Sequence, residues 1–149
     1  MKRILIFVGC LLGYLHAEAQ QTALPDVKNI DLFASFTNAD YDMGKIAAGK
    51  PLEYNVTIKN ISKKDTLVLQ DVKVGCGCTT PKFRAGEKIA PGKSTYIVLG
   101  FNGDAHGEFT KTADILFNDN MVKQVKFRGV TQTDIPAVSN NNPGFTQRR

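Results

Sequence analysis

Two cysteines separated by one glycine are the residues of this sequence best suited to chemistry. Cys76 and Cys78 lie in the run KVGCGCTTP, residues 73–81, and His106 is the one histidine that follows the N-terminal segment. Alternate residues of a strand project to the same side, so the two sulfurs could hold a metal ion together or form a disulfide. Zinc usually takes four ligands in two separated pairs, so two thiolates, with or without His106, fit a soft monovalent copper ion better.

A disulfide between these cysteines is possible but would contribute little to stability. In an extended strand the Cα atoms of Cys76 and Cys78 would lie about 6.6 Å apart, near the upper limit of roughly 6.8 Å for a disulfide. Gly77 permits a bend that shortens this distance. Chain entropy assigns about 1.6 kcal/mol to a three-residue loop. A redox role would need a lowered thiol pKa, yet only Lys73 and Lys82 lie near in sequence and no helix follows. We therefore expect a structural pair or disulfide, with redox or metal chemistry as alternatives.

The N-terminal residues 1–19 predict export. Lys2 and Arg3 precede the apolar run Ile4–Leu15, and the small-x-small pattern Ala17–Ala19 follows, which is the order of a secretory signal peptide. Apolar sequence continues past Cys10, which argues against a lipid anchor at that residue. We expect a periplasmic or extracellular protein, in a compartment where disulfides persist.

Charge and hydropathy argue against two classes of partner. Without Lys2, Arg3 and Glu18, the 19 basic and 14 acidic residues become 17 and 13, a net charge of +4. The basic residues are scattered, whereas nucleic-acid binding needs a clustered basic face, so we expect no nucleic-acid partner. No later segment is apolar enough to cross a membrane, so no transmembrane span is expected after cleavage.

The central part of the chain alternates as strands do. Leu52, Tyr54, Val56 and Ile58 share one parity within Leu52–Asn60, which predicts a half-buried strand. In residues 66–74 the apolar residues change from odd to even positions, and a bulge near Gln70–Asp71 would keep them all on one face of the strand. Further strands are predicted at 33–36, 41–44, 94–101, 109–117 and 121–130, with turn residues in every connector.

This pattern predicts one all-β domain at residues 32–130, an immunoglobulin-like β-sandwich of about seven antiparallel strands. The chain has no tryptophan, and its paired cysteines are too close in sequence to join two sheets, so an antibody-type domain is excluded. A polar lead-in is predicted at residues 20–31. Residues 131–149 are Asn-rich and twice interrupted by proline, which predicts a disordered tail.

The order of motifs resembles a bacterial family named domain of unknown function 1573. The most specific pieces are CGCT (Cys76–Thr79), PGK (Pro91–Lys93) and GEFTK (Gly107–Lys111). The resemblance covers residues 36–130, with Met43 where the family usually has an aromatic residue. It implies an exported immunoglobulin-like sandwich, related in fold to HYDIN and major-sperm-protein domains, without an established activity.

The sequence favours a non-catalytic binding or envelope-assembly module. We find no nucleophile elbow, phosphate-binding loop or metalloprotease motif, so we expect no enzyme activity and no cofactor. An envelope protein or a glycan could bind at end loops or along a sheet edge. The candidate loops are Ser62–Thr66, Thr79–Lys88 and Asn102–Gly107, and Asp65-Thr66-Leu67 resembles a bacterial O-glycosylation site. The alternative is a thiol-redox or copper-handling protein that uses Cys76 and Cys78.

Overall fold

The computed structural model describes residues 28–133 and the backbone of residues 145–147. The predicted signal peptide with Cys10, the lead-in up to residue 27 and most of the predicted tail lie outside the described residues. Within the described part, the one helix is a 3-10 turn, Ile30–Leu32, and no helix could span a membrane.

Strands dominate the described chain and form two sheets. The strands are β1 (Ala34–Thr37), β2 (Asp40–Ala47), β3 (Leu52–Asn60), β4 (Leu67–Val74), β5 (Thr79–Lys82), β6 (Glu87–Ile89), β7 (Ser94–Phe101), β8 (Gly107–Phe117), β9 (Val122–Gln132) and β10 (Phe145–Gln147). One sheet has the order β1-β3-β7-β5, with β10 also paired to β3, and the other has the order β2-β9-β8-β4-β6.

The hydrophobic core lies between the two sheets, because one parity of each long strand is apolar. In β3 every second residue from Leu52 to Asn60 is buried, as the sequence predicts. Tyr54 of one sheet meets Phe127 of the other at a ring separation of 5.4 Å, and Phe101 meets Phe127 at 5.8 Å. These contacts across the sheets join them into a sandwich.

The predicted bulge in β4 is confirmed. The pairing of β4 with β8 shifts register between Leu69 and Asp71. Leu67, Leu69 and Val72 are consequently buried together although their positions differ in parity. Val74 packs against the same core.

The prediction of about seven antiparallel strands is wrong in two respects. Residues 28–133 contain nine strands, and β2 runs parallel to β9. The parallel pair arises because the chain changes sheets after β1, at Asn38 with φ of 63°. β5 and β6 are too short to show alternation, and Pro81 within β5 is a residue that usually indicates a loop.

Five residues of the segment predicted as a disordered tail, 131–149, lie in strands of the described structure. Thr131 and Gln132 complete β9, where Thr131 pairs with both β2 and β8 and Gln132 pairs with β2. Residues 145–147 form β10, which pairs antiparallel with the beginning of β3. Backbone pairing does not require apolar side chains, so a polar composition carries no signal for such a strand, and disorder of the tail stays a prediction.

One buried tyrosine has an unusual environment. Tyr54 is fully buried, stacks on Tyr41 at 4.8 Å, and its hydroxyl has no hydrogen-bond partner among the described residues. Burial raises the pKa of Tyr54 far above its usual value, and it also raises the pKa of Tyr41.

A buried asparagine closes one end of the sandwich. The Asn60 side chain donates to the carbonyl oxygens of Asp65 and Ile89, both at 2.8 Å, and accepts from the backbone and hydroxyl of Ser62. All four of its hydrogen-bonding positions are used. We call this the Asn60 end; it comprises residues 61–66, 90–93 and 118–121.

Candidate functional site

The opposite end of the sandwich gathers the residues that the sequence singled out. Here β2, β4 and β7 end, and β3, β5 and β8 begin. The connecting residues 48–51, 75–78 and 102–106 therefore lie together, beside the end of β9 at residues 131–133. We call this surface the disulfide-bearing end.

Hydrogen bonds join these segments into one surface. The Asn102 N–H donates to the carbonyl oxygen of Cys78 at 3.1 Å, and the Gly49 N–H donates to that of Gly103 at 3.0 Å. The Thr131 hydroxyl lies 2.7 Å from the carbonyl oxygen of Ala105 and 3.1 Å from that of Gly107. The loops are thus fastened to each other and to the sheets, which positions their exposed side chains.

Gly103 is required by a close backbone approach. It is buried and has φ of 79°. A Cβ atom at this position would lie 2.6 Å from the carbonyl oxygen of Lys50. Only glycine satisfies both conditions, so this residue sets the distance between the two loops.

Cys76 and Cys78 form a disulfide in the structure, with Cα atoms 5.3 Å apart. Both side chains are half-buried. The buried Thr79 hydroxyl lies 3.8 Å from the Cys76 sulfur and 3.9 Å from the Cys78 sulfur, and the Thr79 N–H donates to the Cys76 carbonyl oxygen at 3.3 Å. The bond closes the turn that carries the chain from one sheet to the other.

His106 lies at the same end but is not joined to the cysteines as a ligand set. It is exposed and lines a surface cavity of about 450 Å³ with Thr131 and Gln132. Among the described residues, no group of three histidine, cysteine or acidic side chains is placed to hold a metal ion. Cysteines in a disulfide carry no thiolate for a metal, so this geometry does not favour the copper alternative.

A second cavity of about 550 Å³ opens nearby on the outer face of the first sheet. It lies over Gly100, where the missing side chain leaves a depression, and Leu52 and Phe101 form part of its wall. Lys82 and Glu53 form an ion pair of 2.7 Å on the strands that flank Gly100. The sequence carries no signal for this cavity, because its residues are far apart in the chain and only strand register brings them together.

The family is decided by the match of the whole domain. A family model described as "Protein of unknown function (DUF1573)" matches residues 34–131. The chain belongs to this family. A search of the curated proteins finds no match to the sequence.

Solved structures share the fold of this DUF1573 domain. The ASH / PapD-like domain 7 of human CEP192 is 8% identical, with a TM-score of 0.56 over 80% of this chain and 99% of that domain. A protein of unknown function from Porphyromonas gingivalis W83 is 19% identical, with a TM-score of 0.54 over 66% of this chain. The match covers 46% of the P. gingivalis chain, so this chain spans less than half of it. The secreted serine protease VesC from Vibrio cholerae is 12% identical, with a TM-score of 0.55 over 69% of this chain and 24% of that chain.

The three candidate loops of this DUF1573 domain differ in position. Asn102–Gly107 lies at the disulfide-bearing end, whereas Ser62–Thr66 lies at the Asn60 end. Thr79–Lys88 is not one loop, because it contains β5 and the beginning of β6. Thr66 is exposed just before β4, so O-glycosylation of Asp65-Thr66-Leu67 stays a prediction.

Proposed function

We propose that this DUF1573 protein is an exported, non-catalytic binding or envelope-assembly module that holds its partner at the disulfide-bearing end. One observation carries the proposal: hydrogen bonds from Gly49, Asn102 and Thr131 fasten separate loops into one exposed surface. The partner is an envelope protein or a glycan in the periplasm or outside the cell. Export is inferred from the order of basic, apolar and small residues at the N-terminus.

Physical arguments support binding by such a surface. Loops held by a rigid scaffold are common sites of binding, and a loop that is already ordered loses less entropy when a partner docks. The two cavities at this end, about 450 and 550 Å³, fall within the roughly 300–1,000 Å³ range of ligand pockets. Each could receive a side chain or a sugar ring of the partner.

The Asn60 end is a poorer candidate for the same role. Its central polar side chain points inward and uses all its hydrogen-bonding positions within the protein. That arrangement favours a structural role, because a satisfied buried amide has nothing left to offer a partner.

Affinity capture with matched surface variants tests the proposal. The tagged protein is expressed in its native cell, crosslinked, and recovered from the envelope, and its partners are quantified by mass spectrometry. We compare two double variants. The first combines Lys50→Ala and His106→Ala at the disulfide-bearing end, and the second combines Lys63→Ala and Lys64→Ala at the Asn60 end. All four side chains are exposed, so both double variants should fold normally.

We expect at least about a tenfold loss of a partner from the first variant and none from the second, equivalent to about 1.4 kcal/mol of binding free energy. A partner that is lost equally from both variants, or only from the Lys63 and Lys64 variant, contradicts the proposal. Recovery of no partner by the unmodified protein also contradicts it.

A further inference from the structure

Two separate segments cover the outer edge of β3. β1 pairs with Thr57–Asn60, and β10 pairs with Leu52–Tyr54. β1 cannot continue along β3, because the chain turns at Asn38 and enters the other sheet at Asp40. The first half of this edge is therefore left for a strand that comes from elsewhere.

Hydrogen bonds identify the backbone groups that face this edge. The Asn38 side chain donates to the carbonyl oxygen of Asn55, and the Ile61 N–H donates to the carbonyl oxygen of Phe33. Odd-numbered residues of β3 therefore direct their backbone groups toward the outer edge, since backbone direction alternates along a strand. By that parity Glu53 and its partner Thr146 occupy a hydrogen-bonded position, whereas the N–H of Gln147 points away from β3.

Other edges of the sandwich carry features that oppose strand addition. In β5 the Thr79 N–H already donates to the Cys76 carbonyl oxygen, and Pro81 has no N–H. β2 has a register shift between Asp42 and Lys45 and is lined by exposed charges, and β6 has three residues. Short length, proline, bulges and charge are the usual protections of an edge strand.

From these observations we propose that the first half of β3, Leu52–Val56, is an acceptor site for an extended peptide strand. The chain's own C-terminal segment, β10, occupies it in the free protein. β10 forms one hydrogen-bonded pair with β3, at Glu53, and the Asn55 carbonyl oxygen already accepts from the Asn38 side chain, so a competing peptide must take the Glu53 position from β10. Addition of a strand to a sheet edge is a general mode of peptide recognition.

The chain is long enough for β10 to reach β3 within one molecule. The Ala48 N–H donates to the Gln132 carbonyl oxygen at the end of β9. Phe145, where β10 begins, pairs with Tyr54, which is six residues after Ala48, about 22 Å at most. Residues 133–144 separate β9 from β10 and could span more than this distance. Tethering gives β10 an effective concentration of about millimolar, which favours it over weak peptides in solution.

Two proline variants of the full chain test this proposal. Thr146→Pro removes the N–H that faces β3, whereas Gln147→Pro removes one that faces away, so the second is the matched control. The exchange rate of the Glu53 amide proton is followed by NMR. A synthetic peptide of residues 141–149 is then titrated into each protein.

We expect the Glu53 amide to exchange at least about tenfold faster in the Thr146→Pro protein than in the unmodified protein or the control. The peptide should bind the Thr146→Pro protein at least about tenfold more tightly than the other two and restore slow exchange. Equal exchange and equal peptide affinity in all three proteins would overturn the proposal, and so would a Thr146→Pro protein that fails to bind the peptide. This proposal and the proposed function can fail separately, because this test measures the pairing of β3 with a peptide and uses no envelope partner.

Discussion

The two ends of the sandwich use similar numbers of loops for different purposes. At the Asn60 end, the buried Asn60 side chain donates hydrogen bonds to the backbone carbonyl oxygens of Asp65 and Ile89. At the disulfide-bearing end, backbone groups of Asn102 and Gly49 join neighbouring loops at the surface, and side chains such as His106 remain exposed. The first arrangement stabilises the fold, whereas the second holds exposed side chains in place, as the proposed binding role requires.

This contrast predicts where substitutions affect stability and where they affect binding. Loss of a buried, satisfied polar group leaves several partners without hydrogen bonds, which is costly. Loss of an exposed side chain usually changes stability by less than about 0.5 kcal/mol.

Asn60→Ala should destabilise the protein by about 3–4 kcal/mol. The substitution removes the hydrogen bonds to Asp65, Ile89 and Ser62, so the buried Ile89 carbonyl oxygen and the half-buried Ser62 N–H lose their partner, at about 1–3 kcal/mol each. Asn55→Ala, on the exposed face of the same strand, is the control and should cost less than about 0.5 kcal/mol. Urea unfolding monitored by circular dichroism measures both, and equal losses would refute the structural role of Asn60.

Gly103→Ala should cost about 2–3 kcal/mol and weaken partner binding. The new Cβ would meet the Lys50 carbonyl oxygen at 2.6 Å and would strain a backbone with φ of 79°. Gly49→Ala is the control, since its φ is 68° but nothing lies within 4 Å of the added atom, and we expect about 1 kcal/mol. If the two variants unfold at the same urea concentration, the close approach does not constrain this end.

Replacement of both Cys76 and Cys78 by serine should cost no more than about 1.6 kcal/mol, because the disulfide closes only three residues. Unfolding of the variant and of the reduced protein should agree within about 0.5 kcal/mol. Thiol titration of the native protein should find no free thiol at these residues. Stoichiometric copper or zinc in the purified protein, lost in the serine variant, would instead support the metal alternative.

Tyr54→Phe should change stability by less than about 1 kcal/mol at neutral pH, because the buried hydroxyl has no partner among the described residues. Burial raises the pKa of Tyr54 in the folded state, so above the unfolded pKa of about 10 the unfolded chain loses the tyrosine proton while the folded protein keeps it. The free energy of unfolding is therefore unaffected by this group below a pH of about 10 and falls as pH rises above that value. The variant should therefore lose less stability than the unmodified protein between pH 10 and pH 11, by about 1 kcal/mol. If the free energy of unfolding falls equally in both proteins over this pH range, the pKa of Tyr54 is not raised by burial.

Strand periodicity predicted most of the fold from sequence. Alternation located β3 and β7 with the bounds that the structure has, and a change of parity located the bulge in β4. β5 and β6 were missed because three or four residues cannot show a period, and the parallel pairing of β2 was missed because it depends on a turn at Asn38. Local pattern identifies a strand, but not the sheet that it joins.

The candidate site was less predictable for a related reason. The sequence identified Cys76, Cys78 and His106 by residue type, and the structure places them at one end without bringing them together as ligands. The features that shape the surface are a buried glycine, Gly103, and backbone hydrogen bonds such as that of Asn102. Residue type carries no signal for such contacts, because they arise from the register of distant strands.

The most direct test of the account is a hydrogen-exchange footprint of the protein bound to its captured partner. If the disulfide-bearing end is the binding surface, the partner should slow exchange at residues 48–51, 76–80 and 102–107 and leave residues 61–66, 90–93 and 118–121 unchanged. Protection confined to the Asn60 end, with no change around Asn102 and Gly49, would show that the partner does not bind at the disulfide-bearing end.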